Sequence, residues 1–275
     1  MPTLEQEQLE FANLSPDVTG AFSESGVVCL RGMITNDWRQ LLAEWVEIAL
    51  ANPGDRGGGR VGDTYAVVPQ LWNRFDGFRR FAFESPIAKI GAFVMGSQTA
   101  RMYNDAIFVK ERSSPEPTPW HQDLPYFRMN GNLNCSAWIP LDAADASTGA
   151  MSYALGSHHW GKLFDPVEFG RGGGQSVSHE DEFAGPVPNI DADPERFPTV
   201  TFTLEPGDIV FHHLRTLHKS GANTSADRRR RVHTVRFAGD DAVWINRPYS
   251  PVDFDVDLVD GDLLRGAPFP LLWPH

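Results

Sequence analysis

The residues best placed to do chemistry lie in Trp120-His121-Gln122-Asp123-Leu124-Pro125-Tyr126-Phe127. Alternate side chains of an extended strand share a face, so a strand here would present His121 and Asp123 together. An imidazole beside a carboxylate offers a divalent metal two ligands and needs a third from elsewhere. Far downstream, Gly207-Asp208-Ile209-Val210-Phe211-His212-His213 leads into Leu217-His218-Lys219-Ser220-Gly221-Ala222-Asn223, which supplies the candidate imidazoles His212, His213 and His218. Two histidines and one carboxylate on one face of a metal leave the other coordination positions open. Non-haem ferrous centres use this arrangement to admit further ligands.

Such a site needs a rigid frame, and the sequence from Gln98 onward reads as one. Short runs rich in β-branched and aromatic residues recur there, divided by Gly, Pro, Asn and Asp. The strand candidates are 100–110, 120–123, 133–141, 151–155, 199–204, 208–213, 218–221 and 231–238. Short strands of this number and spacing suggest a sandwich or small barrel. Before them, Gly26 to Gly32 reads as a short strand. Thr35-Asn36-Asp37 can open a helix carrying Leu41, Leu42, Trp45, Val46, Ile48 and Ala49 near a 3.6-residue period. Phe75–Phe83 and Pro86–Met95 read as two more helices, Thr3 to Asn13 is helix-compatible, and the five glycines between Gly54 and Gly62 read as a loop. The stretch between Leu163 and Phe197 is too long for a hairpin connection. Its glycines at 170, 172, 173 and 174, followed by Glu180, Asp181 and Glu182, suggest a solvated lid over a substrate. The segment after Trp244, rich in Pro, Asp and aromatic residues, reads as a surface wrap.

Composition narrows the partners. The chain has 275 residues, 41% of them hydrophobic, and a formal net charge of −12. An acidic surface disfavours general binding to nucleic acid or anionic membranes. Neither a signal peptide nor an apolar run long enough to span a bilayer is evident. Cys29 and Cys135, each in an apolar run, read as buried free thiols of a reduced, cytoplasmic protein. Two cysteines are too few for a four-thiolate metal site.

At this point the chain resembles a known family. His121-Gln122-Asp123-Leu124 with Tyr126-Phe127 is similar to the metal motif of the phytanoyl-CoA dioxygenase family. Trp138-Ile139-Pro140-Leu141-Asp142-Ala143, Thr148-Gly149-Ala150-Met151 and Gly156-Ser157-His158-His159-Trp160-Gly161 are similar to its next blocks. Glu205-Pro206-Gly207-Asp208 and His218-x-Ser220-Gly221-x-Asn223 follow in the family's order, and an arginine, Arg229, stands at the family's distance beyond His218. The resemblance covers roughly residues 100–238.

It implies a mainly β fold with flanking α-helices, a double-stranded β-helix of jelly-roll, cupin-like shape. Together with the reading of the flanking segments, a single oxygenase domain over 1–275 is expected, with helical support at 1–97, the β-helix core at 98–240 and a C-terminal wrap at 241–275. The implied enzyme is an Fe(II)- and 2-oxoglutarate-dependent dioxygenase, a hydroxylase using O2 on a small-molecule substrate. The implied metal ligands are His121, Asp123 and His218, since His212 and His213 lack the following Ser-Gly-x-Asn turn. Arg229 is expected to hold the distal carboxylate of 2-oxoglutarate, a task suited to a bidentate guanidinium. Ser220, Trp138 and Asn104 are expected to complete that site. Lys110, at the end of a strand, is expected at the surface. Arg229 and Arg231 should share one strand face and Arg228 and Arg230 the other, so the strand register decides which arginine points inward. A cupin-like isomerase or hydrolase on the same ligands, or a non-catalytic binding protein, would not consume 2-oxoglutarate.

Overall fold

The computed structural model describes residues 17–54, 59–61, 63–167, 182–248, 250–251 and 254–274. The helix-compatible stretch at 3–13 and the glycine and acidic positions 170–181 of the expected lid lie outside the described residues.

The first helix, α1 (Val18–Ser25), stops at Gly26, whose φ of 75° lets its N–H return to Phe22 O. A Cβ at Gly26 would stand 2.4 Å from both the His158 and Thr216 side chains, so only glycine fits there. Strand β1 (Val27–Leu30) follows, then α2 (Asn36–Ala51), which buries Trp38, Leu42, Val46 and Ala49 along one stripe. The glycine-rich region expected to be a loop contains β2 (Gly59–Val61), paired with β3 (Tyr65–Pro69). Helices α3 (Asp76–Glu84) and α4 (Ile87–Met95) come next, close to their expected bounds.

The remaining strands are β4 (Ala100–Lys110), β5 (Thr118–His121), β6 (Met129–Asn130), β7 (Asn134–Pro140), β8 (Met151–Ala154), β9 (Thr199–Thr201), β10 (Ile209–His212), β11 (His218–Ser220), β12 (Arg230–Ala238), β13 (Val243–Trp244) and β14 (Leu271–Trp273). They build a large antiparallel sheet in the order β1-β10-β7-β12-β4-β3-β2, with β14 on the free side of β4. A smaller sheet runs β5-β11-β8-β9, and β13 pairs with β6. Successive strands cross between the two sheets, which gives the double-stranded β-helix, mainly β with flanking helices. Among the described residues no helix is long and apolar enough to cross a membrane.

The two faces of the large sheet do different work. One face carries Met102, Ile107, Val109, Cys135, Ala137, Ile139, Phe211, Val235 and Phe237 and packs with Leu42, Val46, Phe78, Phe81 and Ile90 of the helices. The other face looks toward the smaller sheet. Pairing aligns its residues in rungs: Lys110 opposite Arg230, then Ala106, Thr234 and Trp138, then Asn104, Arg236, Ser136 and His212. Polar side chains thus line a buried interior, an arrangement that needs polar partners.

Asp105 locks the helical layer to the sheet. It is fully buried; its Oδ1 accepts from Leu71 N at 2.7 Å and Trp72 N at 3.2 Å, and Oδ2 stands 3.3 Å from His233 Nε2. The His233 ring packs against Phe78 and Phe81. Removing this acceptor leaves buried donors unpaired. Asp105→Ala is therefore expected to cost about 3–5 kcal/mol in urea unfolding, and Asp105→Asn, which keeps one acceptor oxygen, distinctly less.

Candidate active site

His121 ends β5 and His218 opens β11, and the two are direct partners across the ladder. Their rings lie 4.1 Å apart between centroids. The Nδ1 of His121 bonds Pro119 O at 2.8 Å, and that of His218 bonds Thr216 O at 2.9 Å. Both bonds make Nδ1 the donor, so Nε2 carries the lone pair that a metal would take. Asp123 reaches the same place by a different route from the one expected. The strand stops at His121, and Asp123 adopts helical backbone angles (φ −74°, ψ −38°) at the head of a short 3-10 turn, Leu124–Tyr126. Its Oδ1 stands 3.7 Å from the Nε2 of both His121 and His218. Among the described residues, these three buried side chains bring their ligating atoms within 4.8 Å of one another.

Burial pushes the His121 and His218 imidazoles down, toward the neutral form a metal needs. Burial alone would raise Asp123, but the Arg236 guanidinium and the imidazoles of His212 and His218 outweigh it and hold the carboxyl well below the usual range. Arg236 was not among the sequence candidates. Its Nε stands 3.3 Å from Asp123 Oδ2, its Nη1 donates to Thr234 Oγ1 at 2.9 Å, and it lies against the Phe127 and Phe108 rings. His212 also faces the cluster, with Nε2 3.6 Å from Asp123 Oδ2. His213 turns away, its Nε2 bonded to Asn132 O and its Nδ1 accepting from Arg215 N. Gln122 points away from the carboxylate. Its amide donates to Lys162 O and Arg215 O and accepts from Phe164 N, pinning the Asp123 turn to the start of the long insertion.

At the opposite end of the interior, the expected arginine is displaced by one residue. Arg229 lies on the outer face, bonded at 2.9 Å to both Glu47 and Glu111. Arg231 shares that face, held by Glu47 and Asp142. Arg230 points inward instead and is 2% exposed. It donates to Gly149 O at 2.6 Å and to Ser220 Oγ at 3.2 Å, and it stacks over the Trp138 ring. The physical reason is register: Arg230 pairs with Lys110 as the first residue of β12, so alternation sends Arg229 to the helix side, where Glu47 waits. Lys110, expected at the surface, is fully buried beside Arg230. Gly149, at φ 77°, lets its carbonyl serve Ser220 and Arg230; a Cβ there would stand 2.4 Å from Gly221 O. Ser220, Trp138 and Arg230 are thus brought together, whereas Asn104 sits on the metal-side rung beside Arg236, its Oδ1 buried without a hydrogen bond.

The model of the family described as phytanoyl-CoA dioxygenase (PhyH) matches residues 22–232. The chain belongs to that family. Two relatives of this PhyH protein are named for 2-oxoglutarate or hydroxylase chemistry. The 1-deoxypentalenic acid 11-beta-hydroxylase of Streptomyces arenae is 30% identical over 228 residues, which is 75% of this chain and 74% of that protein. A probable alpha-ketoglutarate-dependent hypophosphite dioxygenase of Stutzerimonas stutzeri is 27% identical over 202 residues, 72% and 66% of the two chains. The non-haem alpha-ketoglutarate-dependent carbocyclase SnoK from nogalamycin biosynthesis superposes with a TM-score of 0.73 at 27% identity, over 94% of this chain and 97% of SnoK. The epimerase SnoN, solved with Fe3+, alpha-ketoglutarate and nogalamycin RO, shares the fold at a TM-score of 0.72 and 24% identity, over 93% and 97%. This PhyH chain is accordingly an iron- and 2-oxoglutarate-dependent oxygenase.

Its residues fit that metal. Two oriented imidazoles and one ionised carboxylate are the donor set a ferrous centre with open positions requires. His121→Ala, Asp123→Ala and His218→Ala are each expected to abolish stoichiometric iron in metal analysis, while His213→Ala retains it. Arg236→Met frees one oxygen of Asp123 and is expected to weaken iron binding by about 10–100-fold. Iron retained by His218→Ala and lost by His213→Ala would reverse the assignment.

Proposed function

We propose that this PhyH-family enzyme hydroxylates an unactivated C–H bond of a small organic molecule, with His121, Asp123 and His218 as the iron ligands and Arg230, rather than Arg229, as the receptor for 2-oxoglutarate. The supporting observation is Arg230 itself. It is a buried guanidinium inside the β-helix, and among the described residues no carboxylate is hydrogen-bonded to it. A buried charge without a counter-ion is costly, and a carboxylate ligand removes that cost. When bound, ferrous iron with 2-oxoglutarate supplies activation of O2, the cosubstrate leaving as succinate and CO2.

The chain's own groups prepare for this. Arg230, positioned by its bond to Ser220 Oγ, offers donors to one carboxylate, and Trp138 and Thr234 occupy the rung between it and the metal ligands. Asn104 and Ser136 keep unpaired oxygens beside Arg236, ready for polar groups of cosubstrate or substrate. Tyr126 and Phe127 cover the metal turn, and the Tyr126 hydroxyl bonds both the N–H and the carbonyl of Val167, drawing the start of the insertion over it. Such covering keeps water from the reacting centre. The helices and the large sheet share one core, which supports reading the chain as one oxygenase domain. Free Cys29 and Cys135 support a reducing, cytoplasmic setting.

Succinate formation measured against 2-oxoglutarate concentration tests this reading. Arg230→Met is expected to raise the half-saturating 2-oxoglutarate concentration by about 100-fold, the loss of a buried charge pair. Arg229→Ala, which breaks two partly exposed pairs, should change it by no more than about threefold. The reverse ranking would return the role to Arg229, and no succinate from the iron-loaded wild type would overturn the function.

A further inference from the structure

Lys110 is fully buried at the end of β4, and its Nζ donates to Ser220 Oγ at 3.1 Å and Gly221 O at 2.6 Å. Arg230, its partner across the ladder, donates to the same Ser220 Oγ at 3.2 Å. The two cationic nitrogens therefore stand no farther apart than two hydrogen-bond lengths. Among the described residues every acceptor they reach is neutral: the Ser220 hydroxyl and the carbonyls of Gly149 and Gly221. Around Lys110, β12 contributes Arg230, β3 contributes Tyr65, whose ring lies 5.7 Å from Nζ, and the segment before β5 contributes Glu116, which attracts it without a hydrogen bond. Glu111, the next residue, is engaged with Arg229 on the outer face. Two like charges this close in a buried interior repel strongly. They coexist with an anion between them or with one of them uncharged.

We propose that Lys110 is a second cation of the cosubstrate site, an uncharged amine before 2-oxoglutarate binds and an ammonium once the distal carboxylate sits beside Arg230. This rests on the reading of the chain as a 2-oxoglutarate enzyme. No covalent step is involved: one proton moves from solvent to Nζ as the carboxylate enters. Burial and the Arg230 charge push the free Lys110 ammonium down to about 6, which agrees with the amine form near neutrality. The sign follows from that. A bound carboxylate raises the affinity of Lys110 for its proton, so its contribution to binding is complete below about pH 6 and is lost as pH rises toward the value in the complex. Over that window 2-oxoglutarate affinity should fall by up to about tenfold per pH unit. The second cation also favours a dicarboxylate over a cosubstrate analogue lacking the distal carboxylate.

Calorimetric titration of 2-oxoglutarate into the Mn(II)-loaded, full-length protein without O2 tests this. At pH 7.5 the heat should differ between phosphate and Tris buffers by an amount approaching the uptake of one proton, and Kd should rise with pH. Lys110→Met should bind more weakly at pH 6, by about tenfold or more, and lose both the buffer difference and the pH slope. Lys110→Arg keeps a permanent charge; it should bind 2-oxoglutarate with no proton uptake, and it carries the test if Lys110→Met fails to fold. Wild-type binding with equal heats in both buffers and no pH slope, or a buffer difference that survives in Lys110→Arg, overturns the role of Lys110 and leaves the function standing. No binding of 2-oxoglutarate to the wild type overturns both.

Discussion

The carboxylate of Asp123 is a full negative charge inside the protein, and the surrounding architecture makes that charge tolerable. Its Oδ1 faces the two imidazoles of the smaller sheet, and its Oδ2 faces Arg236 and His212 of the larger one. One side chain on a short turn thus joins the two sheets of the β-helix. Isolated, such a charge would cost several kcal/mol, or would be neutralised by a proton. The Arg236 guanidinium prevents that, and the Phe108 and Phe127 rings hold its plane. Arg236 does so without occupying Oδ1, so the oxygen that turns toward His121 and His218 stays available.

From that point the interior is graded. One end gathers the imidazoles of His121 and His218 and the carboxylate of Asp123, and the far end gathers Arg230 and Lys110 on shared neutral acceptors. Between them lie Thr234, Trp138 and Ala106, a largely apolar rung with one hydroxyl. A small molecule with a chelating group at one end and a carboxylate at the other matches this gradient in both charge and polarity. The same strands produce both ends, because every second residue of β12 from Arg230 to Arg236 faces inward. Rigid strands fix the spacing between the two ends.

Much of this was legible in the residues, and the failures have physical causes. His121, Asp123 and His218 are recognisable by type and setting, and all three meet. Strand alternation does not place Asp123; a Pro125-containing turn delivers it instead. Four consecutive arginines carry no local information about which one faces inward. That choice is made by pairing with Lys110 and by Glu47, a residue on a helix far away in sequence. Lysine at a strand end is usually exposed, and only the three-dimensional meeting with Ser220 and Arg230 buries Lys110. Arg236 carries a signal in the sequence: counted inward from Arg230, the alternation Arg230, Val232, Thr234, Arg236 puts a second cation on the rung of Asn104, Ser136 and His212.

The most direct measurement of the account is a crystal of the full chain grown without O2 with Mn(II) and 2-oxoglutarate, with anomalous scattering recorded for the metal. One strong anomalous peak is expected among His121 Nε2, Asp123 Oδ1 and His218 Nε2, with the distal carboxylate of 2-oxoglutarate against Arg230 and Lys110. A peak elsewhere, or a carboxylate bound on the Arg229 face, would contradict it.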